Sequence, residues 1–167
     1  MHAVRIHETG GPEVLQLEAI SLPELGPGEA LVLHTAIGIN FIDTYHRKGL
    51  YPLPGLPHGL GVEAAGTVEA VGPGVEEVRP GDRVAYIAST PGTYAETAVV
   101  PADRLVPVPD GIDDEVAAAS LLKGMTVEYL IRRAFRVEAG MTVLFHAAAG
   151  GVGSIACQWL RHLGVTV

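Results

Sequence analysis

The sequence predicts a mixed α and β protein in which a small, curved β domain precedes the start of a doubly wound parallel α/β domain. Short β-type segments separated by Gly and Pro turns fill residues 1–110, and helical patterns follow from about residue 112. Near the end of the chain, a glycine turn over residues 147–153 joins an apolar strand to an amphipathic helix. Because few residues follow this turn, we expect the second domain to be truncated.

Six segments before residue 110 have the apolar and β-branched content of strands. They cover residues 4–6, 15–18, 30–37, 61–71, 83–87 and 94–100. Turns such as Gly26-Pro27-Gly28 and Pro80-Gly81-Asp82 separate them. Many short strands divided by Gly and Pro are typical of a small β domain or barrel.

Two helices are predicted after this β region. Asp113 is a candidate N-cap for a helix over residues 115–122, and a second helix is predicted over residues 126–135. We therefore place the β domain at residues 1–122. The start of a nucleotide-binding domain, opened by the second helix as a bridge, is placed at residues 123–167.

The glycine turn follows a predicted strand over residues 142–147. After it, apolar residues recur with helical spacing at Val152, Ile155, Ala156, Trp159, Leu160 and Leu163. Gly164 is a candidate C-terminal cap before a second strand at residues 165–167. Ala148, Gly150 and Gly153 stand where a dinucleotide fingerprint has its three glycines, with a small alanine first. Strand, glycine turn, helix and strand together predict a site for the pyrophosphate of a dinucleotide.

Composition excludes several classes of function. The longest apolar runs are too short for a membrane span and no signal segment opens the chain, so we expect a soluble cytoplasmic protein. The formal net charge is -8, so we do not expect nucleic acid as the primary partner. The single cysteine, Cys157, allows no internal disulfide and no thiolate-rich metal site, and we interpret it as a buried packing residue. The seven histidines have no metal-ligand spacing.

Five ordered motifs carry a family resemblance over the whole chain. They are Asn40-Phe41-Ile42-Asp43, Gly61-Val62-Glu63-Ala64-Ala65-Gly66, Pro80-Gly81-Asp82-Arg83-Val84, Lys123-Gly124-Met125-Thr126 and residues 147–153. In order and approximate spacing the chain resembles the medium-chain dehydrogenase/reductase superfamily. It is most similar to the zinc-free NADPH:quinone oxidoreductases, the group that includes zeta-crystallin.

The resemblance implies a chaperonin-like (GroES-like) β domain, the beginning of a Rossmann domain, NADPH as the cofactor and a quinone as the hydride acceptor. Alcohol dehydrogenases of the superfamily have a zinc-binding cysteine at the position of Asn40 and a zinc-binding histidine at that of Val62. Asparagine and valine are not ordinary zinc ligands, so we expect no metal. Without zinc, positioning of the reactants is the main task of the protein.

The resemblance also implies roles for individual residues. Asn40, Tyr45 and Tyr51 would be catalytic, since Asn40 would bond near the nicotinamide ribose and the tyrosines would face the acceptor. Cofactor binding is assigned to Asn40, Lys123, Thr126, Gly150, Gly151, Val152 and Gly153. The alternatives are ordinary packing for the tyrosines and a solvated lysine at position 123. Asp43 is expected to bond its own turn backbone, and Glu63 receives no catalytic role.

The functional alternatives stay open at this stage. An enone or alkenal reductase would need the same zinc-free cleft, and a noncatalytic, truncated binding module is a third interpretation. We expect the chain to be part of a longer, homodimeric enzyme, because a doubly wound domain needs further strands. The residue that selects NAD or NADP lies about 20 positions beyond such glycines, so the chain does not contain it.

Overall fold

The computed structural model describes residues 1–167 and contains two compact units, Met1–Ala119 and Ser120–Val167. The first unit holds all the named strands: β1 (His2–Ile6), β2 (Gln16–Ala19), β3 (Glu29–Gly38), β4 (His58–Gly59), β5 (Glu63–Val71), β6 (Arg83–Ile87), β7 (Thr97–Pro101) and β8 (Val106–Pro107). Helix α1 (Phe41–Arg47) follows β3, and single 3-10 turns lie at Pro12–Val14 and Ala102–Arg104. None of the helices in the chain has the length and apolar character needed to cross a membrane.

Two antiparallel sheets form the first unit. One has three strands in the order β2-β1-β4, and the other has five in the order β7-β3-β5-β6-β8. The six predicted strands are all present, with ends displaced by at most three residues. The two-residue strands β4 and β8 are too short to leave a sequence pattern, which explains why they were not predicted.

The core of this unit lies on one face of the five-stranded sheet. Strand β3 pairs with β5 along its length, and two register shifts curve the pair, one of them between His34 and Ala36. Gly66 on β5 allows this approach, because a Cβ there would lie 2.0 Å from the Leu33 carbonyl oxygen. Ten buried residues make up the core: Ala30, Val32, Ala64, Val68, Val78, Val84, Tyr86, Val100, Ala102 and Leu105.

Helix α2 (Asp114–Glu128) corrects the prediction of two separate helices. It is continuous through Gly124 and extends into a π-helical turn, Tyr129–Ala134. A glycine inside a helix costs only about 1 kcal/mol relative to alanine, and good helix formers flank it here. Gly124 therefore does not end the helix. The division between the two compact units falls within α2, after Ala119, while the functional boundary at residue 122 remains a prediction.

The second unit packs helix α3 (Gly151–His162) against the end of α2. Its buried core consists of Val127, Ile131, Val137, Ala156, Leu160 and Val165. The predicted strands at 142–147 and 165–167 reduce to one parallel bridge between Thr142 and Thr166, so that prediction was too long. Beyond this bridge the backbone has no neighbouring strand with which to form hydrogen bonds. Leu144, in this segment, is 84% exposed.

Two finer predictions for this unit had different outcomes. Gly164 follows α3 with a φ of +77°, the left-handed geometry of a C-terminal cap, as predicted. Cys157 is half-buried rather than buried, because it lies at the edge of the apolar face of α3.

Candidate functional site

The start of helix α1 is held by reciprocal bonds around Asn40. Asn40 is the N-cap, in extended conformation, and its backbone N–H donates to Oδ2 of Asp43 at 2.8 Å. This is the return bond of a capping box, and it matches the expectation that Asp43 bonds its own turn. The Tyr94 hydroxyl donates to the same Asp43 oxygen at 2.7 Å. Burial, and then this bond to Asp43, raises the pKa of Tyr94, so its hydroxyl stays a donor.

A second carboxylate approaches Asn40 from strand β5. Nδ2 of Asn40 donates to Oε1 of Glu63 at 2.8 Å, and Glu63 is fully buried. Gly38, opposite Glu63 in the sheet, makes room for this side chain, since a Cβ at Gly38 would lie 2.4 Å from Cγ of Glu63. No catalytic role was assigned to Glu63 from the sequence, because its contact with Asn40 depends on strand register.

Aromatic side chains of α1 and of the segment that follows it are in contact with one another. The rings of Tyr45 and Tyr51 meet edge to face, with centroids 5.3 Å apart, and Phe41 meets Tyr45 in the same way at 5.3 Å. Tyr45 is half-buried, and Tyr51 is 46% exposed. The structure thus brings together the two tyrosines that the sequence singled out. Their rings offer an apolar edge and two hydroxyls to a flat ligand.

Buried polar atoms are concentrated at this place. Oδ1 of Asp43, Nδ1 of His46 and Oγ1 of Thr93 are all buried and have no hydrogen-bond partner. Two of these residues are on α1, and Thr93 precedes Tyr94 in the chain. Buried polar atoms of folded proteins are nearly always bonded, so such a concentration indicates a polar site rather than ordinary core.

The glycine turn of the second unit has the steric form of an anion cradle. Helix α3 begins directly after Gly150, and its first N–H groups have no acceptor within the helix. A Cβ at Gly153 would lie 2.3 Å from the Ala147 carbonyl oxygen, so only glycine allows the turn to pack this closely on the helix. Ala147 itself has a φ of +54°. These features fit the pyrophosphate of a dinucleotide.

Lys123 lies at the same turn. A Cβ at Gly151 would lie 2.9 Å from Cδ of Lys123, so the aliphatic stem of the lysine passes over this glycine. The cation is therefore near the helix N-terminus, where phosphate charge is favoured. The Thr126 hydroxyl, by contrast, donates to the carbonyl oxygen of Leu122 at 2.8 Å, which leaves its oxygen able to accept from a ligand.

The predicted site residues are thus divided between the two units. Asn40, Tyr45 and Tyr51 belong to the first, whereas Lys123, Thr126 and the glycine turn (Gly150, Gly151, Val152 and Gly153) belong to the second. No group of three or more His, Cys, Asp or Glu side chains has an arrangement that could hold a metal ion. Aromatic and amide groups lie in the first unit, and the glycine turn at the N-terminus of α3 lies in the second.

Comparison with known proteins gives a consistent result. A family model described as the alcohol dehydrogenase GroES-like domain matches residues 26–110, about half of the chain. A quinone oxidoreductase from Pseudomonas aeruginosa is 56% identical over 156 residues, covering 93% of this chain and 48% of the relative. A 2-haloacrylate reductase from Burkholderia sp is 45% identical, covering 99% of this chain and 51% of the relative.

Solved structures agree with this result. The crystal structure of Escherichia coli quinone oxidoreductase complexed with NADPH matches with a TM-score of 0.96 at 50% identity, and the match covers 99% of this chain and 51% of that one. The crystal structure of a 2-haloacrylate reductase matches with a TM-score of 0.87 at 43% identity, covering 100% of this chain and 50% of that one. The chain spans about half the length of the curated relatives it matches. The matches confirm the predicted GroES-like β domain.

Proposed function

The chain belongs to the alcohol dehydrogenase GroES-like domain family, in the quinone oxidoreductase branch of the medium-chain dehydrogenase/reductase superfamily, and on this premise we propose that it serves an NADPH-dependent, zinc-independent quinone oxidoreductase. It supplies the residues that orient the hydride acceptor and the turn that receives the cofactor pyrophosphate. The whole enzyme is, in this proposal, a cytoplasmic homodimer that acts on a small molecule and not on nucleic acid.

The glycine turn is the observation that carries the cofactor part of the proposal. Gly153 permits the close turn, the N-terminus of α3 favours an anion, and Lys123 brings a cation to the same place. NADPH, when bound, supplies the hydride. Gly150, Gly151 and Val152 complete the cradle in this proposal, and Thr126 accepts from a cofactor hydroxyl. NADPH is favoured over NADH because structures of related quinone oxidoreductases contain NADPH.

Tyr45 and Tyr51 support a quinone as the acceptor. A quinone is flat and apolar, and its two carbonyl oxygens need donors as negative charge develops on them. The ring edge of a tyrosine can contact the flat quinone ring, and its hydroxyl can donate to a quinone oxygen. Val62 is buried at 6% exposure and the Asn40 amide bonds to a carboxylate, and neither side chain is an ordinary ligand for a zinc ion that could polarise an unactivated ketone. An acceptor that is already electrophilic suits this site.

A second candidate reaction is the reduction of conjugated enones or alkenals. One observation favours it: the relative at 45% identity is named a 2-haloacrylate reductase, and an acrylate carries a conjugated carbon–carbon double bond. A conjugated substrate of this kind needs no metal to polarise it. The two reactions differ in the acceptor and not in the cofactor.

A chimaera tests the proposal. Residues 1–167 replace the matching half of the Pseudomonas aeruginosa relative, and NADPH oxidation is followed with 1,4-benzoquinone and with crotonaldehyde. We expect faster turnover with the quinone. Faster turnover with crotonaldehyde would support the second candidate.

Controls make a negative result informative. The native relative serves as the positive control, and circular dichroism establishes that the chimaera is folded. A folded chimaera that binds NADPH but reduces neither acceptor would contradict both reactions and favour the noncatalytic module. A variant with Glu69→Gln, an exposed position on β5, controls for the effect of substitution itself.

A further inference from the structure

Asn40 is held by carboxylates at both its backbone and its side chain. Asp43 accepts the backbone N–H at 2.8 Å, and Glu63 accepts from Nδ2 at 2.8 Å. Asp43 is in turn fixed by the Tyr94 hydroxyl. Glu63 is fully buried at the start of β5, against Gly38, which leaves it little freedom to move. The amide of Asn40 is therefore fixed by groups that are rigid themselves.

The Glu63 bond determines which way the amide faces. A carboxylate only accepts hydrogen bonds, so the NH2 group of Asn40 must be the end that points to Glu63. The carbonyl oxygen Oδ1 is then the other end of the planar amide group, the end that faces the Asp43 backbone N–H in the capping box. An amide oxygen has two lone pairs, so it can accept from a ligand in addition to any internal donor.

We propose that Glu63 is a positioning residue, which turns the amide of Asn40 so that its carbonyl oxygen is presented to a hydroxyl group of the nicotinamide cofactor. This inference rests on the proposed function. It separates the two possible ligands of Asn40 by their chemistry: the sugars of NADPH carry hydroxyl donors, whereas a quinone carries only acceptor oxygens. Asn40 then serves the cofactor, and donation to the quinone falls to Tyr45 and Tyr51.

The sequence offers an unusually direct test, because Asn40 is the only asparagine in the chain. Labelling with 15N-asparagine gives one side-chain NH2 signal in the spectrum of the 167-residue protein. With 13C-labelled glutamate, we expect a coupling across the hydrogen bond from Asn40 Nδ2 to the Glu63 carboxyl carbon. Glu63→Gln, whose amide can also donate, should shift the NH2 signal and speed its exchange with water, whereas Glu69→Gln on the same strand should leave it unchanged.

Cofactor binding to the chimaera gives the second readout. NADP+ contains the nicotinamide ribose, and 2′,5′-ADP lacks it. Loss of one positioned hydrogen bond should weaken NADP+ binding by about fivefold in Glu63→Gln. Binding of 2′,5′-ADP should not change.

The outcomes distinguish this inference from the proposed function. If the chimaera reduces no acceptor, the proposed function fails, while the coupling in the 167-residue protein still tests Glu63. Absence of that coupling in the wild type overturns the inference, even if Glu63→Gln does not fold. An equal loss of affinity for NADP+ and 2′,5′-ADP also overturns it, because Glu63 would then have a general structural role.

Discussion

The Tyr86 hydroxyl donates a hydrogen bond to Nε2 of His34 across 2.8 Å, joining strands β6 and β3 inside the five-stranded sheet. The other ring nitrogen, Nδ1, lies 2.7 Å from the carbonyl oxygen of Ala95. A carbonyl only accepts, so Nδ1 carries the proton and Nε2 is left to accept from Tyr86. With Tyr86 as the donor, His34 is neutral in this pair; Tyr86 is buried and His34 is half-buried.

Stability of the β domain should depend on pH through His34. Burial lowers the pKa of His34 despite the bond to Ala95, so protonation is easier in the unfolded chain, where the pKa is about 6.5. The His34 contribution is thus complete above about pH 6.5 and declines as the pH falls through the lower folded pKa. Urea unfolding between pH 7.5 and 4.5 should show this decline in the wild type and a smaller one in His34→Gln.

The exposed histidine of helix α3 provides the control. His162→Gln should leave the pH dependence of unfolding as it is in the wild type. If His34→Gln and the wild type lost stability in parallel, the neutral His34 would not be linked to folding.

Tyr86→Phe should destabilise the β domain by about 1 kcal/mol, because it leaves Nε2 of the half-buried His34 without its donor. The ring of Tyr86 is 1% exposed, so the phenylalanine keeps the packing and isolates the effect of the hydroxyl. Tyr129→Phe, at 56% exposure, is the matched control and should change the free energy of unfolding by less than about 0.5 kcal/mol. Equal effects of the two substitutions would show that the His34 bond contributes nothing.

Two glycines in the second unit should respond to alanine with opposite signs. Gly153→Ala brings a Cβ within 2.3 Å of the Ala147 carbonyl oxygen, so the turn must open and the unit should lose stability. Gly124→Ala meets no atom within 4 Å inside helix α2 and should stabilise it by about 0.5 to 1 kcal/mol. Trp159, the only tryptophan, reports unfolding of this unit by its fluorescence. Stabilisation by Gly153→Ala would contradict the steric account of the turn.

The sequence revealed those features that depend on local pattern. Apolar and β-branched segments between Gly and Pro turns located the six longer strands, and the capping glycine after α3 was visible because Gly164 directly follows an amphipathic run. The glycine turn was recognised because its strand, turn and helix are adjacent in the chain. Tyr45 and Tyr51 were named from the resemblance, and their rings meet because both belong to one short segment.

Features that depend on distant residues were not visible. Glu63 contacts Asn40 only because β5 pairs with β3 and Gly38 lies opposite, a register that no local pattern encodes. The break predicted between two helices was wrong, because α2 continues through Gly124 at a cost of only about 1 kcal/mol relative to alanine. The strand predicted at 142–147 was too long. An apolar pattern shows that a segment can form a strand, but the strand forms only where a neighbouring segment supplies backbone hydrogen bonds, here the one bridge between Thr142 and Thr166.

Ala147→Gly should stabilise the second unit. Ala147 is the only residue other than glycine with a positive φ, at +54°, a conformation that costs an alanine about 1 kcal/mol. Glycine adopts it without that cost, although its unfolded state is more flexible and offsets part of the gain. Trp159 fluorescence during urea unfolding should therefore show a midpoint at higher urea for this variant. Ala149→Gly, two residues along the same exposed turn but without a positive φ, should only lose stability, and a gain of equal size there would show that the strain at Ala147 has no effect.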